Sequence, residues 1–369
     1  MDEGLGLVLA GDVMTGRGVD QVLAHPGDPG LVEQYVTDAR DYVRLAERLN
    51  GPVPAPVDPT WPWGAALSVM DDFGPAVRVM NLETSITSSE VRAPGKAVHY
   101  RMSPENISVL SVAAVDVWTL ANNHVLDHGA PGLRDTLEHL RAAGLRATGA
   151  GADAEEAWEP AVVQAGDDAR VLVASVADTS SGVLRSWAAG PRRPGVAVLA
   201  DLRVRTADEV VAGLLREARP GDVRVVSVHW GSNWGYDVWA EQRRFAHRLI
   251  DVGAHVVHGH SSHHPRPVEA YGGGLVLYGC GDLVNDYEGI SGYEEFRDDL
   301  RLVYLVRLER GTGRLESLRM APMRARRLRL DRATQDDARW LARVLDEASR
   351  ELGTRVVLGP DGDLELQLA

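Results

Sequence analysis

The chain reads as an α/β protein, and three observations point there. Short apolar runs alternate with amphipathic stretches from Leu5 onward, the pattern of strands and covering helices in a largely parallel sheet. Beyond residue 268 the pattern turns strand-rich, which predicts a second sheet packed on the first. The chain of 369 residues is long enough to bury a sizeable core, with 44% apolar and 25% charged residues.

In chain order, "LGLVLAGD" predicts a first strand and "AVRVMNLE" (Ala76 to Glu83) a second. "ENISVLSVAAV" is expected to be helical and "DVWTLANNH" to be a strand. "PGLRDTLEHLRAAG" carries Leu133, Leu137 and Leu140 at helical spacing, and Gly144 stands where a helix cap is expected. "LRATGAG", "PAVVQAG" and "RVLVASVA" follow, then a helix over Ala207 to Ala218 and the strand "DVRVVSVHW". The helix "AEQRRFAHRLIDVG" leads to the strand "AHVVHGH". After it come "PVEAY", "GLVLYG", "LRLVYLVRLERG", "LESLRMAP" and the closing helix "ATQDDARWLARVLDEASRELG". The Pro-rich stretches Asn50 to Gly64 and Ala188 to Gly195 are expected as surface excursions.

Acidic residues outnumber basic ones, 53 to 39, for a formal charge of −14. That balance argues against nucleic acid as a partner, since phosphate backbones need a basic surface. A single cysteine, Cys280, excludes an internal disulfide framework and a cysteine-rich zinc module. No run reaches the roughly 18 apolar residues of a membrane span. The acidic start "MDEGLGLVLAGDVM" is unlike a signal peptide, so a cytoplasmic chain is expected.

Polar groups recur at the ends of the apolar strands. Asp12 follows the first, Asn81 and Glu83 the second, and Asn122, Asn123 and His124 the third. His229 ends a later strand, and His258, His260, His263 and His264 end another. Taken singly, each is an ordinary cap, turn former or core histidine. Jointly they mark one crevice, because ligand sites in open α/β sheets form beyond the carboxyl ends of the strands. Carboxylate with imidazole suits zinc, iron or manganese, whereas calcium and magnesium prefer oxygen alone. The loop "SEVRAPGKAVHYRMSP" adds Arg92, Lys96, His99 and Arg101, and Arg17 follows the first strand-end loop. These cations are candidates for binding phosphate or carboxylate, or equally for a solvated loop. Trp230, Trp234 and Tyr236, in "HWGSNWGY", are candidates for pocket walls or plain core, with Gly231 and Gly235 favouring a loop that lines the pocket.

"GDVMTGR", "NLE", "LANNHVLDHG", "HWG" and "DVGAHVVHGHSSHHPRPVEAYGGGLVLYGCGD" together resemble the CapA family of poly-γ-glutamate capsule biosynthesis proteins, within the calcineurin-like metallophosphoesterase superfamily. The resemblance runs roughly from Leu5 to Asp286 and implies a four-layer α/β/β/α sandwich. It implies a metallophosphoesterase-like domain over 1–330, with the helix and tail of 331–369 packed on the same domain. It also implies two divalent ions, manganese, zinc or iron, held by Asp12, the bridging Glu83, Asn123, His229, His260 and His263. His124 would be the general acid, oriented by Asp127. Arg17, Lys96, Arg101, Trp230 and Tyr236 are expected to bind the substrate.

Three departures from the family pattern stand out. Met14 replaces a superfamily histidine, "GHSSHH" brings His264 beside His263 as a competitor for metal, and "GCGD" puts Cys280 and Asp282 near the pocket rim. Cys280 is expected as a small buried filler. The expected activity is metal-dependent hydrolysis of a phosphoester or γ-glutamyl amide. The alternatives are a non-catalytic accessory protein and a metal-assisted ligase or cyclase; no Gly-x4-Gly-Lys loop supports an ATP-driven version.

Overall fold

The computed structural model describes residues 4–166 and 169–368. Met1–Glu3 and Ala369, the outer ends of the two expected segments, lie outside the described residues.

Two main sheets organise the chain. In the ten-stranded sheet, strand Leu5–Val13 runs parallel to Val77–Leu82, which runs parallel to Val117–Thr119 and then to Ala147–Thr148. On its other side Leu5–Val13 pairs antiparallel with Leu300–Leu308, followed by Leu315–Ala325, Leu364–Gln367 and Arg355–Leu358. The six-stranded sheet places Gly274–Leu277, Val256–His260, Val223–His229 and Arg170–Ala177 in parallel, with antiparallel strands at both edges.

The second sheet is therefore present, but its composition differs from the expectation. Of the strand-rich second half, only Val268–Tyr271 and Gly274–Leu277 join it; Leu300–Leu308 and Leu315–Ala325 return to the first sheet. An apolar run buried on both faces carries no mark of its partner, so the sequence left this pairing open. The tail beyond 331 likewise supplies strands of the first sheet as well as the helix Gln335–Ser349.

Side-chain alternation divides the core. Leu5, Leu7 and Leu9 meet Val171, Val173, Val225 and Val256 in a cluster that draws on both sheets. Val8 and Ala10, on the opposite face of the same strand, join Met70 and Leu133 from helices Ala66–Phe73 and Gly129–Ala142. Val226, Val228 and Val257 join Val211, Leu214, Phe245 and Leu249 from helices Val204–Glu217 and Ala240–Asp251. Each fully buried Leu or Val contributes about 1.5–3 kcal/mol relative to exposure.

The helix Gly129–Ala142 ends as the sequence indicates: Gly144 takes φ +70°, and the Leu145 amide donates to the Leu140 carbonyl, closing the last turn. "ENISVLSVAAV" forms only a 3-10 turn, Pro104–Asn106, and the short helix Ser108–Ser111; Ala114 at φ +49° then turns the chain. The helix Arg40–Asn50 carries no sequence expectation here; only Tyr42 and Ala46 are buried on it, so its apolar signal is thin. The stretch from Asn50 to Gly64 runs over the surface as expected, with Pro52, Pro54, Ala55, Pro56, Asp58 and Thr60 exposed. It is anchored near its end, where the buried Trp63 donates its indole N–H to the Val109 carbonyl at 2.7 Å. Among the described residues, no helix is long and apolar enough to cross a membrane.

Candidate metal centre

Both sheets bring strand carboxyl ends to one place. Ser227 faces Thr119 at 3.3 Å, and the His258 ring faces the Ala10 carbonyl at 2.9 Å, tying the two sheets together beneath the site.

Asp12 owes its position to the residue before it. A Cβ at Gly11 would lie 1.8 Å from the Gly281 carbonyl oxygen, so only glycine lets the two strands pass. Across that contact Asp12 pairs in register with Asp282. Asn81 Nδ2 donates to Asp12 Oδ1 at 2.7 Å and reaches Glu83 Oε2 at 3.4 Å, so one amide holds two carboxylates. The Ser261 amide donates to Asp12 Oδ2 at 3.2 Å.

The imidazoles come from the six-stranded sheet. His229 and His260 are adjacent in the parallel register, and their Nδ1 atoms lie 2.7 Å apart. His260 Nδ1 is 3.7 Å from Asp12 Oδ1. His229 Nε2 faces Asn123 Oδ1 at 2.9 Å and Glu83 Oε1 at 3.8 Å. Asp12, His229 and His260 thus form a buried trio able to hold an ion; Asp12, His263 and Asp282 form another. Asp12, Glu83, Asn123, His229, His260 and His263 are brought together.

Asp282 is the residue that sequence reasoning underweighted. It is buried, at 1% exposure, in register beside Asp12 and 3.0 Å from His263, and not at a rim. The available signal was its spacing: a Gly-Asp pair after an apolar strand, repeating the Gly11-Asp12 pair. Cys280 lies in the inter-sheet core, and burial pushes its thiol well up, consistent with a filler.

His124 stands on the cavity wall. Its Nδ1 is 2.6 Å from Asp127 Oδ2, and its Nε2 is 3.8 Å from Glu83 Oε1. The edge of the Tyr100 ring meets it at 4.4 Å, and the Tyr100 amide donates to Asp127 Oδ2 at 2.7 Å. Lys96 donates to Asp127 and to the Asn123 carbonyl, and lies 3.3 Å from His124 Nδ1. A cavity of about 220 Å³ opens here, lined by Glu83, Lys96, Asn123, His124, His263 and Tyr287 among others.

Four of the expected substrate contacts fall elsewhere. Arg17 is buried and saturated, with bonds to Asp286, Glu33 and Tyr42. Trp230 is fully buried, stacks on Tyr278 and donates its N–H to the Tyr278 carbonyl at 3.0 Å; it is core. Tyr236 packs on His264 and Phe296, and Arg101 donates to the Ser89 and Asp28 carbonyls, lining a separate small pocket with Arg17. Of the five, only Lys96 lines the cavity. His264 is no competitor for metal: Nδ1 faces the Pro265 carbonyl, Nε2 accepts from the Gly235 amide, and the ring stacks on Trp234.

Removing one member of a buried ion pair strands its partner. Arg17→Ala is therefore expected to lower stability by about 3–5 kcal/mol in urea denaturation. A loss below about 1 kcal/mol would return Arg17 to the substrate-binding or solvated roles that the sequence left open.

The charges fit a cation. Burial and then Asp282 raise the Asp12 carboxyl to about 7. Burial and the neighbouring Asp12 hold Glu83 well above the ordinary range. Burial keeps the His229 and His260 rings neutral, the form that ligates metal. Crowded carboxylates that resist ionisation beside neutral imidazoles are the donor set a divalent ion satisfies.

Comparison with known proteins gives a family and its members. The model of the bacterial capsule synthesis protein PGA_cap matches residues 6–287. A Mycobacterium tuberculosis protein named "Probable polyglutamine synthesis accessory protein" is 53% identical over 361 residues, covering 98% of this chain and 95% of its own. The "PGA biosynthesis protein CapA" of Bacillus subtilis is 27% identical over 317 residues, covering 85% of this chain and 71% of its own. A Thermus thermophilus crystal structure aligns at TM-score 0.34 and 10% identity over 84% of this chain and 100% of that one, too distant to carry an argument.

Proposed function

This chain belongs to the PGA_cap family of bacterial capsule synthesis proteins, and from that premise we propose that it is a metal-dependent hydrolase acting on a phosphoester or a γ-glutamyl amide. The observation that carries the reading is one cavity with Glu83, Asn123 and His263 on its lining, the His124–Asp127 pair on its wall, and Asp12, His229 and His260 adjoining. One core shared by both sheets, and helices against each outer face, support the four-layer sandwich of the metallophosphoesterases.

Asp12, Glu83, Asn123, His229, His260 and His263 would hold two divalent ions, and carboxylate with imidazole suits manganese, zinc or iron. Such ions, when bound, supply a water that ionises near neutral pH and positive charge against a developing oxyanion. The side chains do the rest. Burial, with Lys96 adding to it, lowers the His124 ring to about 4 against the opposing pull of Asp127, so the ring is neutral at pH 7. His124 Nε2, with Nδ1–H held by Asp127, would therefore take the proton released by the attacking water and return it to the leaving group. Lys96 fixes Asp127, and Asp127 fixes the ring.

Metal uptake is expected to release protons. Asp12, protonated below about 7, and the raised Glu83 must both ionise to ligate. Burial opposes protonation of His263, but Asp282 raises it overall, so this ring adds to the release. His229 and His260 are already neutral and add none. Affinity should therefore climb as pH rises through about 7. Calorimetry at pH 6, in buffers of different ionisation enthalpy, should show roughly one proton or more per ion. A buffer-independent heat counts against the assignment.

A second reading is favoured by the name of the 53% identical relative: a non-catalytic accessory protein that binds glutamyl polymer. Plasma emission for metal content, paired with a screen of phosphoesters and γ-glutamyl amides, separates the two. Turnover that disappears on chelation and returns with metal supports the hydrolase. Tight binding of poly-γ-glutamate by metal-stripped protein, with no turnover in any metal, supports the accessory role.

A further inference from the structure

We propose that Asp282 is a metal ligand, and that it makes the centre chemically asymmetric, with a nitrogen-rich pole and an oxygen-rich pole sharing Asp12. The inference rests on the metal-centre reading above and refines it.

The nitrogen-rich pole is the trio Asp12, His229 and His260, with the Asn123 amide oxygen beside His229. The oxygen-rich pole is the trio Asp12, Asp282 and His263, with two carboxylates to one imidazole. Asp282 Oδ1 lies 3.0 Å from His263 Nδ1, close to the spacing of about 3.3 Å between neighbouring ligand atoms when each sits about 2.0–2.1 Å from a tetrahedral ion.

The other ends of both side chains are already held. Asn285 Nδ2 donates to Asp282 Oδ2 at 2.6 Å, and Arg301 donates to Asn285 Oδ1 at 3.0 Å. With Nδ1 ligating, His263 Nε2 carries the proton and can donate to the Tyr287 hydroxyl at 3.4 Å; the Asn233 amide, whose Nδ2 lies 3.1 Å away, accepts only with its oxygen turned to the ring. Such outer partners are how proteins aim metal ligands. Beyond the His263 ring, the pole has no cation among the described residues. Asp12, Glu83 and Asp282 are all buried, and among the described residues their ion-pair contacts are to histidines, with no lysine or arginine. One amide, Asn81 Nδ2, spans Asp12 Oδ1 at 2.7 Å and Glu83 Oε2 at 3.4 Å, a crowding of carboxylates that a cation stabilises. Because imidazole favours zinc and iron while carboxylate favours manganese and magnesium, the two poles should select different ions.

Metal-stripped wild type and Asp282→Asn are titrated with zinc alone and with manganese alone. Wild type should take both metals. Asp282→Asn should keep its tight zinc equivalent within about threefold and lose at least about tenfold in manganese affinity. Wild-type manganese affinity in Asp282→Asn overturns the inference, whereas failure of the wild type to bind either metal overturns the metal-centre reading instead. If Asp282→Asn does not fold, wild-type crystals carrying one equivalent of zinc and excess manganese decide by anomalous scattering. Manganese between Asp282 and His263 supports the asymmetry; zinc there, with manganese between His229 and His260, refutes it.

Discussion

Asp12→Asn should make the metal-stripped protein more heat-stable at pH 8 while abolishing the rise in melting temperature that zinc or manganese gives the wild type. Asp12 is fully buried beside Asp282, and burial with that neighbour raises its carboxyl to about 7. A carboxyl whose folded-state value is raised favours the fold most when protonated. The advantage is complete below the unfolded value of 3.8 and is lost as pH rises through about 7. At pH 8 the ionised side chain thus opposes folding by an amount on the order of a few kcal/mol. Asparagine removes the charge and can still face Asn81, so the penalty disappears; the gain should shrink markedly at pH 5 and vanish only below about 3.8. Turnover should fall by at least about 100-fold, since even outer partners of metal ligands are worth 10–100-fold. Differential scanning calorimetry at the two pH values, with and without metal, decides the matter. A variant less stable at pH 8 that still binds metal would leave Asp12 as a structural cap.

Asp127→Asn should depress turnover by about 10²–10⁴-fold with metal content intact, the range that positioned proton transfer supplies. Burial opposes ionisation of Asp127, but His124 and Lys96 together hold its carboxyl below the ordinary range. It is fully buried, and its two oxygens serve His124 Nδ1, Lys96 and the Tyr100 amide. The amide carries no charge for Lys96 and can present N–H to the ring, freeing Nδ1 from its donor role. Nitrogen NMR of the His124 ring should then report a changed tautomer, a signal that general destabilisation does not produce. Unchanged ring shifts together with unchanged turnover would remove Asp127 from the machinery.

Much of this was legible because the site is written at strand ends. Asp12, Glu83, Asn123, His229 and His260 each follow an apolar run, and parallel strands must deliver those ends to one side. What was not legible depended on partners rather than on position. Arg17 and Arg101 look alike as cations near the motifs; only the fold reveals that Asp286 and Glu33, distant and near in sequence, close around Arg17. Trp230 and Lys96 likewise sit near catalytic-looking neighbours, yet one points into the helix-covered core and the other into the cavity. Asp282 was visible as a residue, but its role needed the register that sets it beside Asp12. The pairing of Leu300–Leu308 with Leu5–Val13 was hidden for the same reason, since uniform apolar strands do not name their neighbours.

That pairing has a consequence for how the molecule comes off the ribosome. The first strand made must wait, with one flank bare, until nearly the whole polypeptide has been synthesised, because the segment that covers it begins at Leu300. Nascent chains therefore carry an exposed apolar edge for most of translation, a natural point for chaperone capture or for sticking to a neighbouring polysome. Truncation before that segment should yield insoluble product even though every proposed metal-binding side chain is already present.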